Sequence, residues 1–146
     1  MGLFKKIIVE TRRDTAKLAG KVARLIKKPI IVALKGDLGA GKTFFAKCLV
    51  NDLLRKNGLP RINVVSPTFN LVKIYNANDF LIYHYDLYRL NKREEIYELD
   101  IEEALENITI IEWPEIIEDI LPKGTIVITI TVEGNTRIFD IKMKMD

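Results

Sequence analysis

Apolar positions along the chain change their period several times, and each change marks an element. Leu18, Ala19, Val22, Leu25 and Ile26 recur at helical spacing, while Lys17, Lys21, Arg24 and Lys28 take the outer face. Thr11-Arg12-Arg13-Asp14 precedes them as a capping box, with Thr11 able to cap and Asp14 favourable in the first turn. Pro29 closes that helix. Ile30–Lys35 is a β-branched apolar run, the pattern of a buried central strand. Residues 36–42 form a glycine loop, Lys42 to Lys56 reads as a helix, and Gly58 and Pro60 end it.

Alternation dominates further on. Leu71–Tyr75 and Phe80–Tyr85 flank the turn formers Asn76-Ala77-Asn78-Asp79, which predicts a hairpin with a short loop. Lys92 to Glu106 is polar and helix-prone, with a break expected near Asp100. Asn107–Trp113 carries Ile108, Ile110 and Ile111, a second buried strand that Pro114 stops. Glu115–Leu121 has the character of a short helix. Thr125–Glu133 and Arg137–Lys144 alternate around Gly134-Asn135, a second hairpin. Strand, loop and helix at the start with hairpins later imply an α/β fold built on a mixed sheet.

Composition narrows the class. At 146 residues, 48% apolar and 29% charged, the chain matches one globular domain over residues 1–146. No apolar run approaches the roughly 18 residues that argue a transmembrane helix. Met1-Gly2-Leu3-Phe4-Lys5-Lys6 is too short in apolar residues for a signal peptide, and Lys6 stands where myristoylation wants Ser or Thr. Cys48 is the only cysteine, so no internal disulfide forms, and no His and Cys cluster offers a zinc site. The chain therefore reads as cytoplasmic.

The net charge of +3 hides a segregation. Residues 5–28 carry nine basic and two acidic side chains, whereas residues 86–119 carry three basic and twelve acidic ones. One reading is two solvated helix faces of opposite sign. The other is a docking surface, because opposed patches steer encounter with a complementary partner. The basic stretch by itself is weak support for a meeting with tRNA.

The chemistry sits in Gly36-Asp37-Leu38-Gly39-Ala40-Gly41-Lys42-Thr43, which matches G-x-x-x-x-G-K-[ST] at every fixed position. At average glycine usage, a chain of this length matches by accident on the order of once in two hundred. Glycines let successive N–H groups point into one concavity, and the helix opening at Lys42 adds its free N–H groups and positive end. Lys42 then reaches the β- and γ-phosphates of ATP, and the Thr43 hydroxyl ligates Mg²⁺. The fold this implies is α/β, a P-loop NTPase-like three-layer arrangement with a mixed sheet and β-hairpins.

Metal binding needs carboxylates beyond the loop. Ile108–Glu112 is an apolar strand ending in an acid, so Glu112 is placed to reach Mg²⁺ or a water on the γ-phosphate. Asp86 follows another apolar strand and is an equal candidate for the metal. Trp113 adjoins Glu112 and reads first as packing at a domain edge. His84 reads as a hydrogen-bonded core histidine, and Cys48 as a buried, inert thiol.

Four blocks then stand together: the glycine loop, Ser66-Pro67-Thr68-Phe69, His84-Tyr85-Asp86-Leu87-Tyr88-Arg89 and Ile111-Glu112-Trp113-Pro114-Glu115. In this order and at these spacings they resemble the TsaE family, the bacterial ATPase of tRNA threonylcarbamoyladenosine synthesis, over residues of about 10 to 121. The resemblance implies support for that modification beside the anticodon of tRNAs that read codons beginning with A. Transfer itself would belong to the partners TsaD and TsaB, with tRNA met only indirectly through the complex. It would make Lys42 the phosphate lysine and Thr43 a magnesium ligand. Asp86 would serve the metal, and Glu112 the metal or the attacking water. Thr68 would sense the γ-phosphate, and Trp113 would lie near the nucleotide. Asp37, Leu38, Gly39, Ala40, Gly41 and Phe44 complete the expected nucleotide contacts. Phe44 departs from the family, which often has a second hydroxyl there.

Three rivals share the loop. A small P-loop kinase needs an arginine-bearing lid, yet only Arg137 and a hairpin follow Glu112. A GTPase needs Asn-Lys-x-Asp, for which Asn91-Lys92-Arg93-Glu94 is a near miss in a charged stretch. A nucleotide-gated adaptor, which switches on occupancy without significant turnover, stays open. Residues 125–146 carry no block assignable to function.

Overall fold

The computed structural model describes residues 4–145, so the part of the N-terminal reading that rests on Met1-Gly2-Leu3 lies outside them. In chain order the elements are β1 (Lys6–Val9), α1 (Arg12–Leu25), β2 (Ile30–Gly36), α2 (Lys42–Lys56), β3 (Val72–Asn76) and β4 (Leu81–Asp86). They continue with α3 (Ile101–Ala104), β5 (Ile108–Glu112), β6 (Ile126–Glu133) and β7 (Thr136–Met143). Tight 3₁₀ segments cover Arg93–Glu98 and Pro114–Ile120.

The seven strands form one mixed sheet in the order β1-β7-β6-β2-β5-β4-β3. β6, β2, β5 and β4 run parallel, while β1, β7 and β3 are antiparallel to their neighbours. Period-two alternation in β2 divides the interior. Val32 and Leu34 face the layer of α1 and α2, where Leu18, Val22, Phe45, Leu49 and Leu53 pack. Ile31 and Ala33 face the opposite layer, with Tyr83, Tyr85, Ile96, Ile101 and Ile117. The result is three layers, as expected. Among the described residues no helix is long and apolar enough to cross a membrane.

Thr11 caps α1, accepting from the Asp14 amide at 3.1 Å. Both hairpins form where the turn residues place them, with strand ends shifted by a residue. One strand was not expected, and two helical stretches wind differently from the expectation. β1 is a strand the pattern did not announce, because the four residues Lys6–Val9 make no alternating face of useful length. Lys92–Glu106 breaks at Asp100 as expected, at a left-handed φ of +59°, but its first part winds as a 3₁₀ segment and only the four residues of α3 are α-helical. The short helix expected at Glu115–Leu121 winds as a 3₁₀ segment from Pro114. The acidic stretch is therefore not a helix face, whereas the basic one does follow α1.

Candidate functional site

Parallel strands deliver their carboxyl ends side by side, and here the register is tight. Leu34 of β2 and Asp86 of β4 both stand opposite Glu112 of β5. The Leu87 amide donates to the Glu112 carbonyl at 3.0 Å and the Trp113 amide to the Leu34 carbonyl at 3.3 Å, which pins the three ends. A cleft of about 530 Å³ opens above them.

The loop between β2 and α2 forms one wall. Gly36 has φ +152°, and an added Cβ would stand 2.8 Å from the Ile130 carbonyl, so the loop turns where only glycine fits. Gly41 caps α2 in the left-handed region at φ +112°. Lys42 is buried and folds back, its Nζ donating to the carbonyls of Gly36 at 2.5 Å and Asp37 at 2.9 Å. That ammonium also lies 4.1 Å from the centre of the Trp113 ring. Burial lowers its pKa below the ordinary lysine range, opposed by the charges of Glu112, Glu115, Asp86 and Asp37.

Behind Lys42 runs a chain of hydrogen bonds. The Thr43 hydroxyl donates to Glu112 Oε1 at 2.7 Å, and His84 Nε2 stands 2.7 Å from Glu112 Oε2. His84 and Glu112 are fully buried. On the adjoining strand, Thr68 donates to Asp86 Oδ2 at 3.1 Å, Ser66 and Thr68 share a 2.7 Å contact, and the Tyr88 amide donates to Asp86 Oδ1. Among the described residues no group of three His, Cys, Asp or Glu side chains gathers as a ready-made metal cage.

Of the residues singled out from sequence, Leu38, Gly39, Gly41, Lys42, Thr43, Phe44, Thr68, Asp86, Glu112 and Trp113 all line the cleft. Asp37 and Ala40 do not. The Asp37 side chain faces solvent, and Ala40 is buried beneath the loop. Trp113 is half-buried against Tyr88, 4.9 Å between ring centres, and holds a left-handed φ of +58°. It is part of the cleft wall and not merely edge packing. Cys48 lies outside the cleft and is half-buried; burial, then Asp52, pushes its thiol pKa up, which keeps it a weak nucleophile.

Sequence reasoning missed the far wall. Glu10, Thr11, Arg12 and Thr15 reach the cleft from the start of α1, and Arg137 and Phe139 reach it from β7. Arg137 Nε donates to the Ala40 carbonyl at 2.7 Å and so ties the loop to the last hairpin. Arg12 lies over the Phe44 ring at 4.8 Å. Only Arg137 left a trace beforehand, as the sole arginine after Glu112.

The sequence pattern of the family described as "Threonylcarbamoyl adenosine biosynthesis protein TsaE" matches residues 9–139, which span this whole constellation. The chain belongs to the TsaE family. A TsaE of Rickettsia felis is 45% identical over 137 residues, covering 92% of this chain and 78% of the relative. A TsaE of Aquifex aeolicus is 40% identical over 116 residues, covering 79% and 80%. The crystal structure of YdiB from Bacillus subtilis superposes with a TM-score of 0.72 at 28% identity, over 95% of this chain and 84% of that one. Membership places the chain in tRNA threonylcarbamoyladenosine biosynthesis.

Proposed function

We propose that this TsaE-family chain binds ATP with Mg²⁺ in the cleft and hydrolyses it slowly, as support for threonylcarbamoyl transfer by TsaD and TsaB. The observation that carries the reading is the run from Lys42 through Thr43 to Glu112 and His84 at the mouth of a glycine loop. The donor set fits magnesium, which takes one or two carboxylates plus phosphate oxygens and keeps several waters. Thr43, Asp86 and Glu112 supply a hydroxyl and two carboxylates on one wall. Bound there, the ion would neutralise charge on the phosphates.

The chain's own groups do the rest. Backbone N–H groups at the start of α2 and the Lys42 ammonium bind the phosphates. Lys42 is now held by two carbonyls and exchanges them for phosphate oxygens. Thr68, hydrogen-bonded to Asp86 on the cleft wall, would be the switch residue that meets the γ-phosphate. Glu112 orients a water or the metal shell. Both its oxygens are already held, by Thr43 and His84, so a water or metal at Glu112 has to share them with those partners. That favours slow turnover in isolation and completion of the site by partners.

The test is phosphate release from labelled ATP, with and without TsaD and TsaB. The reading expects label in inorganic phosphate and a rate raised by the partners. Label on a small acceptor would establish a kinase instead. Nucleotide binding with partner capture but no release under either condition would establish a gated adaptor.

A further inference from the structure

A second and larger groove, of about 950 Å³, runs between α1, α2 and the segment that follows α2. Its walls carry six cations: Arg13, Lys17 and Arg24 on α1, Lys47 and Arg55 on α2, and Arg61 beyond. The α1 members sit at helical spacing on one face. Arg13 and Arg24 are eleven positions apart, a span of roughly 16 Å at 1.5 Å per residue. The only acid in the groove is Asp52, and Arg55 holds it at 2.9 Å. Among the described residues the other five cations make no salt bridge. Asn51 fastens the third wall, exchanging two hydrogen bonds with the backbone of Ile62 at 2.8 and 3.1 Å. The groove is therefore a shaped site with a large excess of positive charge over its one acid, and it shares only Phe44 with the first cleft.

We infer that this groove binds RNA through its phosphodiester backbone. Rows of arginine and lysine on facing walls suit a chain of phosphates, where each contact releases a counterion. A protein partner would be expected to find aromatic or aliphatic anchors at the centre. Here Ile62 is the only large apolar lining residue that is exposed, and Phe44 already lies under Arg12. The chain's own family works on tRNA modification, so tRNA is the RNA at hand. The resemblance brought tRNA in only through TsaD and TsaB; the groove gives the chain a contact of its own. It also adjoins the first cleft, since Phe44 lines both. The inference rests on the groove and on family membership, not on ATP turnover.

Fluorescence anisotropy with a labelled, unmodified tRNA transcript over a salt series tests it. The wild-type protein should bind, with log affinity falling linearly against log salt. Replacing Arg24 and Arg61 together by Gln should weaken binding about tenfold or more and reduce the salt slope by about 1.5 to 2. A control pair removes equal charge from outside the groove: Lys123→Gln with Lys142→Gln, which should change affinity less than about twofold. Thermal unfolding of each variant monitors the fold without recourse to nucleotide, so a failure of the ATP reading leaves the RNA result legible. Absence of wild-type binding at low salt, or equal losses from both pairs, would overturn the inference. So would an Arg24/Arg61 variant that keeps tRNA but loses retention by immobilised TsaD and TsaB, which would assign the groove to an acidic protein surface.

Discussion

His84 Nε2 lies 2.7 Å from Glu112 Oε2 with both side chains sealed from solvent. A carboxylate can only accept, so toward Glu112 the ring presents Nε2 as the donor, and Nδ1 has no hydrogen-bond partner among the described residues. Replacing His84 by Leu leaves a buried carboxylate oxygen unsatisfied and should destabilise the protein by about 1–3 kcal/mol. His84→Gln, which restores an N–H, should recover part of that. Urea unfolding midpoints measure both; a Leu variant as stable as the parent would show that the contact carries no weight.

Lys42→Ala should weaken ATP binding at least tenfold, because one charge-assisted hydrogen bond contributes about 1.5–3 kcal/mol. A pH signature accompanies it. Burial has lowered the lysine pKa, so the free site gives up its proton sooner than an exposed lysine does. Phosphate oxygens favour the charged form and raise that pKa again. Binding therefore takes up protons at alkaline pH, and affinity falls as pH rises through the free-site value. For stability the sign is opposite: the penalty of burying the ammonium is full below the folded pKa and fades above it. Calorimetry from neutral to alkaline pH, in buffers of different ionisation enthalpy, should show uptake in the parent and none in Lys42→Ala.

Gly36→Ala meets two obstacles at once. The φ of +152° is costly for any residue with a Cβ, and that atom would lie 2.8 Å from the Ile130 carbonyl, a backbone atom of the neighbouring strand. Stability should fall by about 1–3 kcal/mol. A melting temperature within experimental error of the parent would refute the steric argument.

Arg137→Ala removes the ties to the Ala40 and Gly39 carbonyls while leaving every loop residue in place. The loop should loosen and ATP affinity drop by a few-fold to about tenfold, from loss of two hydrogen bonds to a charged donor, the one to Gly39 long at 3.5 Å. Global unfolding should move little. Equal affinity would mean that the glycine loop holds its shape unaided.

The loop and its helix were legible because their requirement is local: glycines, a lysine and a hydroxyl at fixed spacing on one short stretch. Glu112 was legible as the acid at the end of an isoleucine run. Over residues 92–106 the break near Asp100 was legible, but the 3₁₀ winding before it and the shortness of α3 were not, because packing sets them and composition does not. Ile96 and Ile101 are both buried against the sheet. Five positions apart on an α-helix they would point about 140° away from each other. The turn at Asp100 brings both inward. β1 and Arg137 were hidden for another reason: their partners are distant in sequence, and no local period announces a pairing such as Ile7 with Phe139.

The bond from Arg137 to Ala40 spans 97 residues. On a growing polypeptide the glycine loop emerges from the ribosome long before the strand that tethers it. During that interval the loop is unbraced, and the β1 edge has no β7 to zip against. The brace on the loop thus arrives late in translation, with the last hairpin.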